Sequence, residues 1–404
     1  MISLDNKTYC EKCFEIIDES NYATHCCHSQ SNIERYPTSL AEGTVLSGKY
    51  LVGSVIGKGG FGITYLCYDL VKKCRIAIKE YFPDYCAYRA AGTKTVCVTG
   101  DKDGYKSGVE KFYKEAKLLS GFRNTPSVVE VLSFFQENNT AYLVMEYLDG
   151  CDLKTHFQKG ARFDENYVIF LLLEILKGLK QLHDKKIYHR DISPDNIFLC
   201  NDGRIKLIDF GSARTSAATY SIMVKPGFAP MEQYQTTGNQ GPWTDIYEVG
   251  ATAYYFLKRV VLEAAPTRVS RDVIDLSGIS PKLAVIISKM IAVRIEHRYT
   301  NVSDVINELV ALLNSNAAEQ KKAAEVQQAQ QVPEVQYPYS ENGANDNGKQ
   351  EGYIPTPQNT GESFYDRMSN DPTTKALFIA TCVLSSVLVV LGIAIATYFA
   401  FNGF

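Results

Sequence analysis

Three side chains placed close together in the sequence could do chemistry on a phosphate. Asp191 and Asn196 lie in "HRDISPDN", and Asp209 follows in "LIDFGSA". A carboxylate able to accept a hydroxyl proton, an amide oxygen and a second carboxylate suit the attack of a hydroxyl on a Mg-bound phosphate. Upstream, "GKGGFGITYL" carries Gly57, Gly59 and Gly62 as a GxGxxG between the β-like runs "YLVGSVI" and "TYLCYDL". Glycines there let the backbone close over a phosphate with no Cβ in the way. A dinucleotide-binding fold would open a helix at the last glycine, and the β-like run that follows argues against hydride transfer. Lys79 closes the next strand-like run, "RIAIKEYF". A lone lysine at a strand end is ordinarily a solvated charge, but behind a glycine loop it becomes a candidate to hold a nucleotide's phosphates. Such a lysine needs a fixed anion, and Glu115, in the helical pattern of Phe112, Ala116 and Leu119, is the candidate.

These residues require a scaffold of strands and helices, and residues 46–314 have its profile. β-rich runs such as "TAYLVMEYL" give way to helical patterns such as "NYVIFLLLEILKGLKQLH", as in one α/β-type globular unit. With 404 residues the chain has length for appendages. Residues 1–40 are Cys/His-bearing and poor in apolar runs, so a core-driven fold there would need a staple. Residues 315–375 are dominated by Gln, Asn, Pro, Gly and Ser, the composition of a disordered linker, although their Ala-, Glu- and Lys-rich start could extend the preceding helix. A net charge of −3 gives no electrostatic footprint for nucleic acid.

The ordered set resembles the eukaryotic-type protein kinase family, over residues 46–314. The resemblance implies an α+β, two-lobed fold with a β-rich N-lobe and a helical C-lobe. It implies a protein serine/threonine kinase using ATP and Mg²⁺, with protein hydroxyls as substrates. By this likeness Ile56, Gly57, Gly59, Gly62, Ala77, Glu146 and Leu148 line the ATP site, with "TAYLVMEYLDG" as the hinge and Met145 as gatekeeper. Lys79 paired with Glu115 would hold the α/β-phosphates, Asn196 and Asp209 would bind Mg²⁺, and Asp191 would accept the substrate proton. Glu232 in "KPGFAPMEQY" would pair with Arg298, and Asp245 in "WTDIYEVG" would steady the catalytic loop. Arg190 would receive a phosphate on Ser216, Thr219 or Tyr220, which implies autophosphorylation in the activation segment. The phrases "IKEYFPDYCAYR" and "PGFAPMEQY" look like a bacterial subgroup.

One position departs from the pattern. Most serine/threonine kinases carry a lysine two residues after the aspartate, in contact with the transferring phosphate, and here Ser193 stands there. The alternative reading is therefore an ATP-binding pseudokinase serving as a membrane-tethered scaffold. The complete base and metal set favours the enzyme, and Lys225 is the candidate source of the missing charge.

The two ends add separate expectations. "YCEKC" and "HCCH" offer Cys10, Cys13, Cys26 and His28 as a structural Zn²⁺ set resembling a zinc ribbon. The other cysteines Cys67, Cys74 and Cys97 read as small packing residues. Residues 376–401 lie in an uncharged apolar run long enough for a transmembrane helix. Lys375 and Arg367 before it orient the chain as a single-pass cell-membrane protein with a cytoplasmic kinase domain and no extracellular sensor domain. The absence of a signal-peptide pattern and of a regular cysteine framework agrees with a reduced, cytosolic bulk.

Overall fold

The computed structural model describes residues 2–4, 7–18, 31–122, 125–210, 224–235 and 238–329. One compact unit comprises Met1–Cys200 and Arg204–Asn314; in the other, Asn201–Gly203 and the helix from Ser315 onward are described.

The chain begins with a hairpin of β1 (Ile2–Leu4) and β2 (Lys7–Tyr9), and a short helix α1 (Asn32–Arg35) follows. Ser31 and Glu34 close a capping box around the start of α1, satisfying two backbone donors. The N-lobe is an antiparallel six-stranded sheet. Its strands are β3 (Val45–Leu46), β4 (Tyr50–Gly59), β5 (Gly62–Asp69), β6 (Cys74–Tyr81), β9 (Val131–Glu137) and β10 (Thr140–Glu146), in the order β3-β4-β5-β6-β10-β9. A small pair, β7 (Ala87–Tyr88) and β8 (Cys97–Val98), leads into α2 (Lys102–Leu119). Asp101 caps α2 by accepting from Gly104 N at 2.9 Å, and the helix lies against β9 and β10.

Alternation along β6 sends consecutive charges to opposite faces. Glu80 points into the core, fully buried, where it pairs with Arg89 and accepts from the hydroxyls of Tyr65 (2.8 Å) and Tyr142 (2.9 Å). Lys79, beside it, is left for the other face.

Much of the segment expected as a separate module of residues 1–40 packs on this lobe. The Cys10–Cys13 turn docks on β4, with Ser54 N donating to Lys12 O at 2.9 Å. Phe14 packs with Leu51, Leu66 and Tyr68, and Cys13 and Tyr147 flank the cluster. Asn32 stitches the next stretch to β4, donating to Gly53 O (2.7 Å) and accepting from Val55 N (2.8 Å). Only glycine fits at position 53, because a Cβ there would lie 2.6 Å from both Lys12 O and the Phe14 ring. Gly53→Ala is expected to lower stability by about 1–3 kcal/mol, the usual penalty of overpacking. Urea denaturation measures that loss, and faster labelling of Cys13 by a thiol reagent would report the displaced turn.

The C-lobe starts with β11 (Gly150–Asp152) and α3 (Leu153–Gln158) and is built around α4 (Glu165–Asp184) and α5 (Pro242–Lys258). α4 buries half of its residues and α5 most of them, which their apolar runs allow. A three-stranded sheet of β11, β12 (Ile197–Cys200) and β13 (Ile205–Leu207) lies beside them. α6 (Ala265–Arg268), α7 (Pro281–Met290) and α8 (Val302–Ala329) complete the order, and α7 packs on α5. The opening stretch of the expected linker is thus helical to Ala329, as its Ala, Glu, Gln and Lys content favours.

Among the described residues no helix is long and apolar enough to cross a membrane. The expected span at 376–401, the rest of the linker, and Ser216, Thr219 and Tyr220 lie outside the described residues. Of the three cysteines read as packing residues, Cys67 is buried and Cys97 half-buried, but Cys74 is exposed at the start of β6, where the strand leaves the core.

Candidate active site

Both lobes contribute to one cleft. The β4–β5 hairpin pairs Gly57 with Thr64 and Gly59 with Gly62. A Cβ at Gly59 or Gly60 would meet nothing within 4 Å, so the loop borders open space on that side. At Gly62 it would lie 2.5 Å from Glu80 O, so this glycine is demanded by the neighbouring strand whatever the ligand. Ile56 is exposed on β4, Ala77 is buried on β6, and Ala77 pairs with Met145 across the sheet.

Lys79, on β6 opposite Thr64, reaches the other lobe and forms an ion pair with Asp209. The sequence suggested Glu115 as its partner. Glu115 sits half-buried on α2 and is not bonded to Lys79, whose charge the Asp209 carboxylate meets instead. Asp209 and Arg190 both adopt left-handed backbone, at φ 58° and 63°, which is uncommon for residues with a side chain and is found where a site over-determines the chain.

The side chain of the hinge residue Glu146 is bonded within the protein. Its Oε1 accepts from Lys206 Nζ at 2.6 Å and from Glu130 N at 2.8 Å. Leu148 is half-buried just past β10. Lys206 was not singled out from sequence, because in "RIKLIDF" it alternates with Ile205 and Leu207 and so reads as a solvent-facing charge. It is in fact buried, and also donates to Val128 O at 3.1 Å.

The loop that carries Asp191 is braced from beneath by buried groups. Asp245 accepts from His189 N (2.9 Å), Arg190 N (2.8 Å) and His183 Nε2 (2.7 Å). Burial alone would raise the Asp245 carboxyl, but the His183 hydrogen bond and the neighbouring positive character hold it below the ordinary aspartate value. Glu248 accepts from Ile192 N at 2.7 Å and from Gln233 Nε2 at 2.8 Å, and Gln233 also donates to Arg190 O. Burial first, and then the charge of Asp245, push the Glu248 carboxyl well up. Neither Glu248 nor Gln233 was marked by the sequence, since a glutamate on an apolar helix gives no signal of which loop it faces.

His189 is fully buried, donates to Ile208 O at 3.2 Å, and lies tilted against Phe210 at 4.5 Å between ring centroids. Burial pushes its pKa below the ordinary value of 6.5, against the pull of Asp245. The unfolded chain therefore binds the proton more readily than the folded one. The stability this gives is whole above the ordinary histidine value and declines as pH falls below it. The urea midpoint should drop between about pH 7 and pH 5. His189→Asn should flatten that slope, and an unchanged slope would exclude His189 as its source.

Asp191 stands at the open side of the loop. Its Oδ2 accepts from Asn196 Nδ2 at 2.9 Å, and its Oδ1 lies 3.2 Å from Lys225 Nζ. With its amide nitrogen turned to Asp191, Asn196 keeps an Oδ1 to which no described residue donates. Together with the half-exposed Asp209 carboxylate it fits a Mg²⁺ site, because Mg²⁺ takes one or two protein oxygens and completes its shell with phosphates and water. Among the described residues there is no group of three or more His, Cys, Asp or Glu that could hold a metal. Of the expected zinc set, Cys10 is buried and Cys13 half-buried, while Cys26 and His28 lie outside the described residues. The anticipated Glu232–Arg298 pair is formed, buried, with Arg298 Nη1 2.8 Å from Glu232 Oε1.

The family model for the protein kinase domain matches residues 50–311. Serine/threonine-protein kinase B of Synechocystis sp. is 29% identical over 284 residues, 65% of this chain and 46% of that protein. Serine/threonine-protein kinase PknA of Nostoc sp. is 30% identical over 285 residues, 66% of this chain and 47% of that protein. The chain thus spans about half the length of these curated relatives. The solved structure titled PpkA-294 apo form superimposes with a TM-score of 0.60 at 33% identity, covering 67% of this chain and 99% of its own. A match that runs through both lobes and takes in all the residues gathered between them makes this chain a member of the protein kinase family.

Proposed function

We propose that this chain transfers the γ-phosphate of ATP to serine or threonine hydroxyls of proteins, itself included. The observation that carries the reading is the meeting of Asp191, Asn196, and the Lys79–Asp209 pair in one cleft. The substrate oxygen attacks the γ-phosphorus while its proton passes to Asp191. The bond from that phosphorus to the β,γ-bridging oxygen breaks, and ADP leaves with the electron pair. Asn196 fixes the Asp191 carboxylate by its amide donor, and Lys79 offers its charge to the nucleotide phosphates. Mg²⁺ on Asn196 and Asp209 would neutralise charge on those phosphates.

The similarity to kinases named for serine and threonine supports this hydroxyl class. Full-length chain with labelled ATP, Mg²⁺ and a generic basic protein tests it, with Asp191→Asn as control. Transfer by the wild type alone supports the kinase; no transfer to either protein favours the ATP-binding scaffold.

The ends of the chain belong to the same reading. The apolar run at 376–401 anchors the kinase by a single span to the cell membrane, on the cytoplasmic side. A flexible linker of about 60 residues would give it a reach of roughly 40–50 Å, and the part already helical at its start shortens that. Cys10, Cys13, Cys26 and His28 hold a structural Zn²⁺.

A further inference from the structure

The loop that carries Asp191 brings no positive side chain of its own to the transferring phosphate, since Ser193 occupies the position two residues on. Ser193 is fully buried and extended, just ahead of the 3-10 turn Pro194–Asn196. Its hydroxyl is occupied, accepting from Lys225 Nζ at 2.9 Å. The same ammonium lies 3.2 Å from Asp191 Oδ1, so one cation bridges the base and the serine. Among the described residues Lys225 is the cation bonded to Asp191. An ammonium has three donors and these contacts use two, which leaves a third on a side chain 38% exposed at the cleft.

The backbone that presents Lys225 is fixed. Lys225 O accepts from Phe228 N (3.0 Å) and Ala229 N (2.9 Å), closing a tight turn. Gly227 within that turn has φ 86°, and a Cβ there would lie 2.5 Å from Leu262 O and 2.3 Å from a Val261 methyl carbon. The turn is thus pressed against residues 261–262, and the lysine is aimed from a rigid base.

We propose that Lys225 is a catalytic residue that contacts the transferred phosphoryl group, so that the cation of this step is supplied by the activation segment and not by the catalytic loop. The inference rests on the kinase reading above. As the substrate oxygen bonds to the γ-phosphorus and the bond to ADP breaks, negative charge gathers on the phosphoryl oxygens. Lys225 donates a hydrogen bond to one of them, while the proton passes to Asp191. A lysine at position 193 would stay in the cleft wherever the segment lay. With Ser193, the cation reaches the cleft through the turn that carries Lys225, which the hydrogen bond to Ser193 holds there.

The test moves the charge across the Ser193–Lys225 hydrogen bond. Wild type, Lys225→Ala, Lys225→Gln and the exchange Ser193→Lys/Lys225→Ser are compared as full chains for kcat, KM for ATP, and the affinities of ATP and ADP. Lys225→Ala and Lys225→Gln are expected to lose about 10²–10³-fold in kcat while keeping their affinity for ADP. The exchange should recover most of that loss, a rescue that a structural role for Lys225 would not give. A Lys225→Ala variant within about threefold of wild-type kcat would overturn the proposal. So would an exchange variant that folds, as judged by thermal unfolding, and yet is no more active than Lys225→Ala. If the wild type transfers no more phosphate than Asp191→Asn, the kinase reading fails instead. The binding arm then decides for Lys225: loss of preference for ATP over ADP in Lys225→Ala upholds its contact with the terminal phosphate, and an unchanged preference overturns it.

Discussion

Replacing Asp191 by asparagine is expected to lower kcat by about 10²–10⁴-fold with little change in ATP affinity, the magnitude attached to a positioned general base. Asparagine has the shape of aspartate, so the fold of the loop should survive. Its fixation by Asp245 and Glu248 acts through the backbone of residues 189, 190 and 192 and does not involve the Asp191 side chain. What is lost is the acceptor for the substrate proton. An amide in that place would also set an NH₂ or a neutral oxygen against Lys225, 3.2 Å away, and against Asn196 Nδ2, 2.9 Å away. Steady-state kinetics on a protein substrate reads the effect, and undiminished turnover would remove Asp191 from its role.

Arg298→Met should destabilise the protein by about 3–5 kcal/mol, as expected when one member of a buried ion pair is removed. Arg298 has no exposed side-chain surface, and Glu232 keeps only 4%. The guanidinium meets both Glu232 oxygens, at 2.8 and 3.2 Å, and donates to the carbonyls of Ala292 and Val293. After the substitution Glu232 retains a single donor, the Thr244 hydroxyl at 3.0 Å. The cost therefore lies mainly in stranding a carboxylate away from water. The double variant Glu232→Gln/Arg298→Met should recover part of it, because the stranded charge is gone. Urea denaturation of the three chains measures this, and a loss below about 1 kcal/mol would show that the carboxylate finds other solvation. Activity should suffer too, since the neighbouring Gln233 holds Arg190 O and Glu248.

The residues expected to form the catalytic set could be picked out because each has an unusual residue type at a strand end or in a loop with a fixed spacing. Asp191, Asn196 and Asp209 are brought to one cleft with Lys79, and the two-lobed fold follows from the same motifs. Pairings were less legible. Lys79 meets Asp209 and not Glu115, because sequence lists the carboxylates but not which lies within reach of a lysine. Buried charges were missed where the local pattern disguised them: Lys206 lies between Ile205 and Leu207 and reads as solvated, and Glu80, next to Lys79, gives no local sign of which of the two faces the core. Gly53 was invisible for another reason. Its necessity comes from Lys12 and Phe14, some forty residues earlier, and no local pattern carries a long-range approach of that kind.

The Lys206–Glu146 contact sets how the two lobes can move. Lys206 belongs to the C-lobe sheet, and its ammonium fastens the last residue of β10 and the carbonyl of Val128 at one buried point. Leu207 on the same strand exchanges backbone hydrogen bonds with this segment, donating to Ser127 O at 2.9 Å and accepting from Val129 N at 3.0 Å. The connection between lobes is therefore pinned where it crosses. Sliding the N-lobe along the C-lobe would break this largely buried ion pair and the two backbone hydrogen bonds, whereas a rotation about Glu146 would keep them. Such a rotation would displace the exposed glycine-loop residue Phe61 far more than Glu146.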